Sequence, residues 1–224
     1  REAVHQATQK GYKQFIWSEP EKVGLVKFLD ELVDATISSK SDILVPKRRS
    51  LESYPVAQAH SESFGNLALG SMGFVGQNQE VLDTFFGPKV FGSKGVFYIN
   101  AFENIGLISN ILAEMRIEQL ERKYGPLEKP ERDRHVEMAK KDLIFGDHMQ
   151  HMPTELAILY GATVSSSVID YEHPEQQRLL EEKNSSAYNQ KRVWQLNTLL
   201  EQGELVLRLS KNLEFNQYLS RLKM

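Results

Sequence analysis

Three of the chain's six histidines, His135, His148 and His151, fall close together, and two of them share the segment Asp147-His148-Met149-Gln150-His151. His148 and His151 are three apart, so on a helix they would share a face. Two neutral imidazoles so placed can bind one metal ion, with Glu155 a further turn along. Glu114 and Glu118, in the preceding predicted helix, are the carboxylates that would complete such a site. Helical bundles build di-iron centres from facing glutamates and histidines. This chain departs from that pattern, because the Glu-x-x-His pair does not occur twice on core helices. Gly146 and Pro153 also bracket the segment, which suits a helix junction with capping or exposed histidines.

Three other motifs carry weaker chemistry. Gly70-x-x-Gly73-x-x-Gly76 lacks the Gly-Lys-Ser/Thr of a phosphate loop and follows no clear strand, so it reads as turn or close packing. Lys47-Arg48-Arg49-Ser50 reads as a solvated basic run in a loop. Ser165-Ser166-Ser167 has no Gly-x-Ser-x-Gly elbow and reads as small residues inside an apolar helix. Trp194, beside Lys191 and Arg192, has the composition of an interface anchor.

Composition limits the function classes. The chain has 224 residues, 41% of them hydrophobic and 25% charged, which is ample for a folded core. It has no cysteine, so disulfides, thiolate metal sites and cysteine nucleophiles are excluded. A net charge of −3 without a basic stripe argues against a dedicated nucleic-acid binder. No run reaches the roughly 20 apolar residues of a membrane span. No basic-then-apolar leader is visible, which points to a cytoplasmic protein.

The elements that must position these residues are mostly helical. A short amphipathic helix is expected over 2–17. A second begins at Ser18-Glu19-Pro20 and carries Val23, Val26, Leu29, Leu32, Val33 and Ile37. Residues 40–55, with Pro46 and Pro55, read as a loop. A helix is expected over 56–71. The stretch 65–106 holds eight of the fourteen glycines, and 64–106 holds seven of the eleven phenylalanines, so short buried elements are expected there. One is a helix near 78–86. Another is a hairpin over about 89–99, around Gly92-Ser93-Lys94-Gly95.

From residue 100 the helical periodicity is stronger. Asn100 has capping-box spacing with Glu103 and should open a helix that stops at Gly125-Pro126. Pro130 opens another, ending at Gly146. Pro153-Thr154-Glu155 opens a third, carrying Leu156, Leu159, Tyr160, Val164 and Val168. After Pro174 the chain should be helical to its end, with residues 204–209 read as helix over the strand alternative.

These expectations add up to a mainly α fold, an irregular multi-helix bundle of a single domain over 1–224, with a softer boundary near 126–130. The leading functional expectation is a non-enzymatic interaction protein, an adaptor or accessory subunit without a cofactor. Its protein partner would meet Trp194, Leu200 and Leu207. The alternative is a helical oxidase or oxygenase holding iron or manganese at His148, His151 and Glu155.

Overall fold

The computed structural model describes residues 6, 7, 9–145 and 151–222. The chain is mainly helical, but its helices are arranged on a four-stranded mixed sheet with strand order β1-β3-β2-β4. The strands are β1 (Gln14–Trp17), β2 (Ile43–Arg48), β3 (Lys89–Gly92) and β4 (Val164–Ile169). β3 runs antiparallel to β1 and β2, whereas β2 and β4 are parallel, with Ile43 opposite Val164 and Arg48 opposite Ile169. The bundle expectation therefore misses the centre of the molecule.

Alternation between two apolar cores explains why these short runs are strands. Ile43, Val45 and Phe91 join the larger apolar core, while Leu44 and Val90 join a smaller one with Leu25, Leu32, Phe86, Ile169 and Tyr171. Successive side chains of a strand point to opposite faces, so the sheet is covered on both sides. The 40–55 segment is thus only partly loop. Pro46 is tolerated inside β2 because pairing with β3 ends at Leu44, which leaves one side of the strand without a ladder.

α1 (Leu29–Ser38) lies over the smaller core, behind a 3₁₀ turn over Val23–Phe28. α2 (Val56–Ser71) follows β2. The expected helix near 78–86 is replaced by two single 3₁₀ turns, Gln77–Gln79 and Thr84–Phe86. The expected hairpin also fails in its second arm: Lys89–Gly92 is a strand, but Gly95–Asn100 is a helix, α3. A side chain at Gly95 would meet the Asp42 carbonyl oxygen at 2.3 Å, so this packing needs glycine.

α4 (Ile105–Tyr124) begins at Asn104, whose side chain accepts from the Leu107 N–H at 3.2 Å; the cap lies four residues beyond the Asn100 expected. It ends at Gly125, which has φ +89°. α5 (Lys129–Phe145) packs back along it. α6 (Met152–Leu159) is much shorter than expected. Gly161 at φ +75° lets the chain turn, and the Ala162 N–H reaches back to the Ala157 carbonyl at 2.9 Å, which closes the helix. Val164 and Val168 therefore lie on β4 with the three serines, not on a helix.

α7 (Glu175–Lys183), α8 (Ser185–Lys211) and α9 (Leu213–Leu222) complete the chain, and residues 204–209 are helical. α8 packs along α2, against α6 and across α4. Among the described residues no single helix is long and apolar enough to cross a membrane.

Candidate functional site

α8, α2, the start of α6, the segment after β1 and the turn at 171–174 enclose a cleft of about 840 Å³. That lies within the usual size range of small-molecule sites, about 300–1,000 Å³. Trp17, Tyr54, Phe85, Tyr171 and Trp194 give it aromatic walls, and Gln58, Gln177, Gln195 and Thr198 add neutral polar groups. Two sets of buried polar residues meet behind it.

In the first set every charge has an opposite charge beside it. Arg48 ends β2 and is buried. Its Nε and Nη2 donate to the Asp83 carboxylate at 2.8 and 2.7 Å, and its Nη1 meets Glu62 at 2.6 Å. The guanidinium also stacks against Tyr54, 4.7 Å from the ring centre, and Phe86, 5.0 Å away. Glu62 reaches across to Arg192 of α8 at 2.8 Å and accepts from Gln58 at 2.7 Å. Asn66 donates to Asp83 at 3.0 Å. Burial opposes ionisation of Asp83, yet the Arg48 hydrogen bonds and charge hold its carboxyl below the ordinary range. The network ties β2, α2, α8 and the 83–86 turn into one frame. Gly65 permits it: a side chain there would sit 2.0 Å from the Phe85 ring.

The second set is only partly paired. Lys89, the first residue of β3, is completely buried, and its Nζ donates to the Gly87 carbonyl at 2.7 Å and the Thr84 carbonyl at 3.2 Å. Burial lowers its pKa to about 8, with Glu19 and Asp83 acting in the opposite direction. His151 is 6% exposed, lines the cleft and lies against Phe85, with ring centres 5.8 Å apart. Its Nδ1 has no hydrogen-bond partner. The Thr84 backbone acts against the fall in its pKa. Burial first, and the Lys89 charge second, keep this imidazole neutral.

One helical turn further on, Glu155 is fully buried and neither carboxyl oxygen has a partner. Burial pushes its pKa up to about 8, against the pull of Lys89. Thr154 Oγ1 is likewise buried and unpartnered. An unmade hydrogen bond on a buried group costs roughly 1–3 kcal/mol. Four such atoms within residues 151–155 therefore mark a place kept polar against stability.

Of the residues singled out in the sequence, His151 lines the cleft, Glu155 is sealed in the interior one turn further along α6, and His148 lies outside the described residues. Glu114 is exposed, and Glu118 pairs with Arg208 at 3.0 Å on the surface, so neither is buried beside His151. Among the described residues no three His, Cys, Asp or Glu side chains converge to hold a metal. Trp194 is 60% exposed at the cleft wall, Leu200 is half-buried, and Leu207 packs against the main core.

Sequence reading missed Lys89, Arg48, Glu62 and Asp83. Arg48 belongs to a run expected to be solvated, yet it is buried, while its neighbour Arg49 is on the surface, paired with Asp170. The available signal was the run Ile43-Leu44-Val45 just before it, which drags the next residues into the interior. Comparison of the chain with protein-family models, curated proteins and solved structures finds no significant match.

Proposed function

We propose that this chain binds a small polar organic molecule in the cleft between α2 and α8, and that His151 acts on it as a proton acceptor. The observation that carries the reading is the placement of His151: a buried, neutral imidazole lining a cleft of ligand size, with Nδ1 unpartnered. A neutral imidazole with an unpartnered nitrogen can take a proton from a bound group. The aromatic walls supply apolar contact, and the paired Arg48 network supplies rigidity.

A fluorinated fragment library, followed by ¹⁹F NMR, tests this. Fragments should bind the native chain and lose binding in Thr198→Trp, which fills the cleft from α8. No binders, or binders indifferent to Thr198→Trp in a folded variant, would overturn the reading.

A second reading keeps the expectation of an adaptor or accessory subunit with a protein partner. Its supporting observation is exposed apolar surface on two helices that pack together: Phe64 and Leu67 of α2, and Val193 and Trp194 of α8. Light scattering during size exclusion, with and without Trp194→Ala, tests self-association through this surface. The iron or manganese alternative has only His151 and Glu155 among its described candidate ligands, too few for a closed site.

A further inference from the structure

We infer that His173 and Glu181 form a second acid–base couple in the cleft: His173 takes the proton of a hydroxyl group on the bound molecule, and Glu181 positions the ring. The inference rests on the small-molecule reading of the cleft and names a group that molecule carries. Both residues line the cleft. The alternation of β4 runs on past its end, so that Ile169, Tyr171 and His173 are buried while Asp170 and Glu172 between them are exposed. α7 then carries Glu181 back to the imidazole, with Oε2 2.8 Å from His173 Nε2. Gln177, one turn earlier on α7, donates to the other carboxylate oxygen at 2.9 Å. The Tyr54 ring packs on His173 with centres 4.6 Å apart, and the His173 backbone N–H donates to Ser53 Oγ at 2.9 Å. Ring and carboxylate are therefore both held in place.

The printed partner fixes the tautomer. An ionised carboxylate only accepts, so Nε2 carries the hydrogen and Nδ1 the lone pair. Among the described residues no group bonds to Nδ1, and unlike His151 Nδ1 it is not sealed from solvent. A lone pair so placed calls for a donor. A hydroxyl supplies one, whereas an ether or a carboxylate does not. In the transfer the hydroxyl O–H bond breaks, the oxygen keeps the electron pair and an Nδ1–H bond forms. The ring then carries a positive charge beside the Glu181 carboxylate, which stabilises it. A pair that served only to fasten α7 would have no use for an open second nitrogen. Tyr171, two residues earlier on the same side of the chain, adds an aromatic wall for the body of the ligand.

Phenol, anisole and benzylamine share one ring and differ in the group that would meet Nδ1. Ligand-observed NMR gives their affinities, and ¹⁵N NMR of the histidine-labelled chain reads the ring. In the free protein His173 should be the Nε2–H tautomer. Phenol should bind at least about tenfold more tightly than the other two, roughly the worth of one well-placed hydrogen bond, and should shift the His173 Nδ1 resonance. 4-Nitrophenol, whose anion absorbs visible light, should ionise further on binding, the optical sign of a proton reaching Nδ1. His173→Phe keeps a ring against Tyr54 and should abolish the preference for phenol. Glu181→Gln can donate as well as accept, so it no longer dictates the tautomer and should reduce the preference by about threefold or more. Thermal melts establish that each variant is folded, and the spectra of the native chain decide alone if neither is. An Nδ1–H tautomer, anisole or benzylamine bound as tightly as phenol, or a preference that survives either substitution would overturn the inference. So would phenol that leaves the His173 signals unmoved, or 4-nitrophenol that binds without ionising further. If none of the probes binds while other fragments occupy the cleft, the couple falls and the cleft reading stands. If no fragment binds at all, both fall.

Discussion

Two buried polar groups meet at one cleft and are treated in opposite ways. Around Arg48, every charge has a partner: Asp83, Glu62 and Arg192 close a network with aromatic rings against it. Around His151, the partners are missing: Thr154, Glu155 and the imidazole each present a buried polar atom to no protein group. The first arrangement holds elements together. The second costs stability that a folded chain would shed unless the groups had another task. Burial alone therefore does not mark a site. Burial without satisfaction does.

The contrast can be broken first at its paired side. Asp83→Ala leaves two buried cations, Arg48 and Arg192, sharing the single carboxylate of Glu62, and should cost about 3–5 kcal/mol, the usual penalty for breaking a buried ion pair. Urea unfolding measures it, and a loss near zero would mean that the network is not a frame. At the unpaired side the sign should reverse. Glu155→Leu removes two unsatisfied oxygens and should raise stability by about 1–3 kcal/mol in the same assay. A clear loss would mean that the carboxyl has a structural partner.

A smaller effect lies in pH. Glu155 titrates near 8 in the folded chain but near its ordinary 4.5 when unfolded. Between those values the folded state holds the extra proton, so this group's contribution to stability falls as pH rises from 4.5 to about 8. Lys89 works in the adjoining window: its folded value of about 8 lies below the ordinary 10.5, so its penalty eases as pH rises from 8 to 10.5. The stability difference between the native chain and Glu155→Gln should therefore shrink or turn negative from pH 5 to 8, then level off. A difference constant with pH would remove the protonated carboxyl from the account. The smallest effect belongs to the surface: Arg49→Ala breaks the exposed pair with Asp170 and should leave the urea midpoint unchanged within error.

Helices with long stripes were legible in the sequence, because their period spans several turns. The Gly125-Pro126 pair marked the stop of one such helix, and the helical propensity of the flanking residues marked 204–209 as helix. The sheet was not, because its strands are only four to six residues long and buried on both faces. A run such as Ile43-Leu44-Val45 carries no alternation and cannot be told from a helical turn by pattern alone. Val164 and Val168 have helical spacing, but Gly161 ended the helix before them. The site was half legible. His151 and Glu155 stood out by type and spacing, whereas Lys89 came from the mistaken hairpin and Arg48 from a run assigned to solvent. The Arg48 partner Asp83 is 35 residues away in sequence, and only the fold brings the two together.

The most direct test of the contrast reads the His151 ring itself. ¹⁵N NMR of the histidine-labelled chain should show a neutral imidazole from pH 5 to 8. A fragment that occupies the cleft should then shift the His151 ring resonances. A ring that titrates near the ordinary 6.5, or ring signals unmoved by a cleft-bound fragment, would contradict the account.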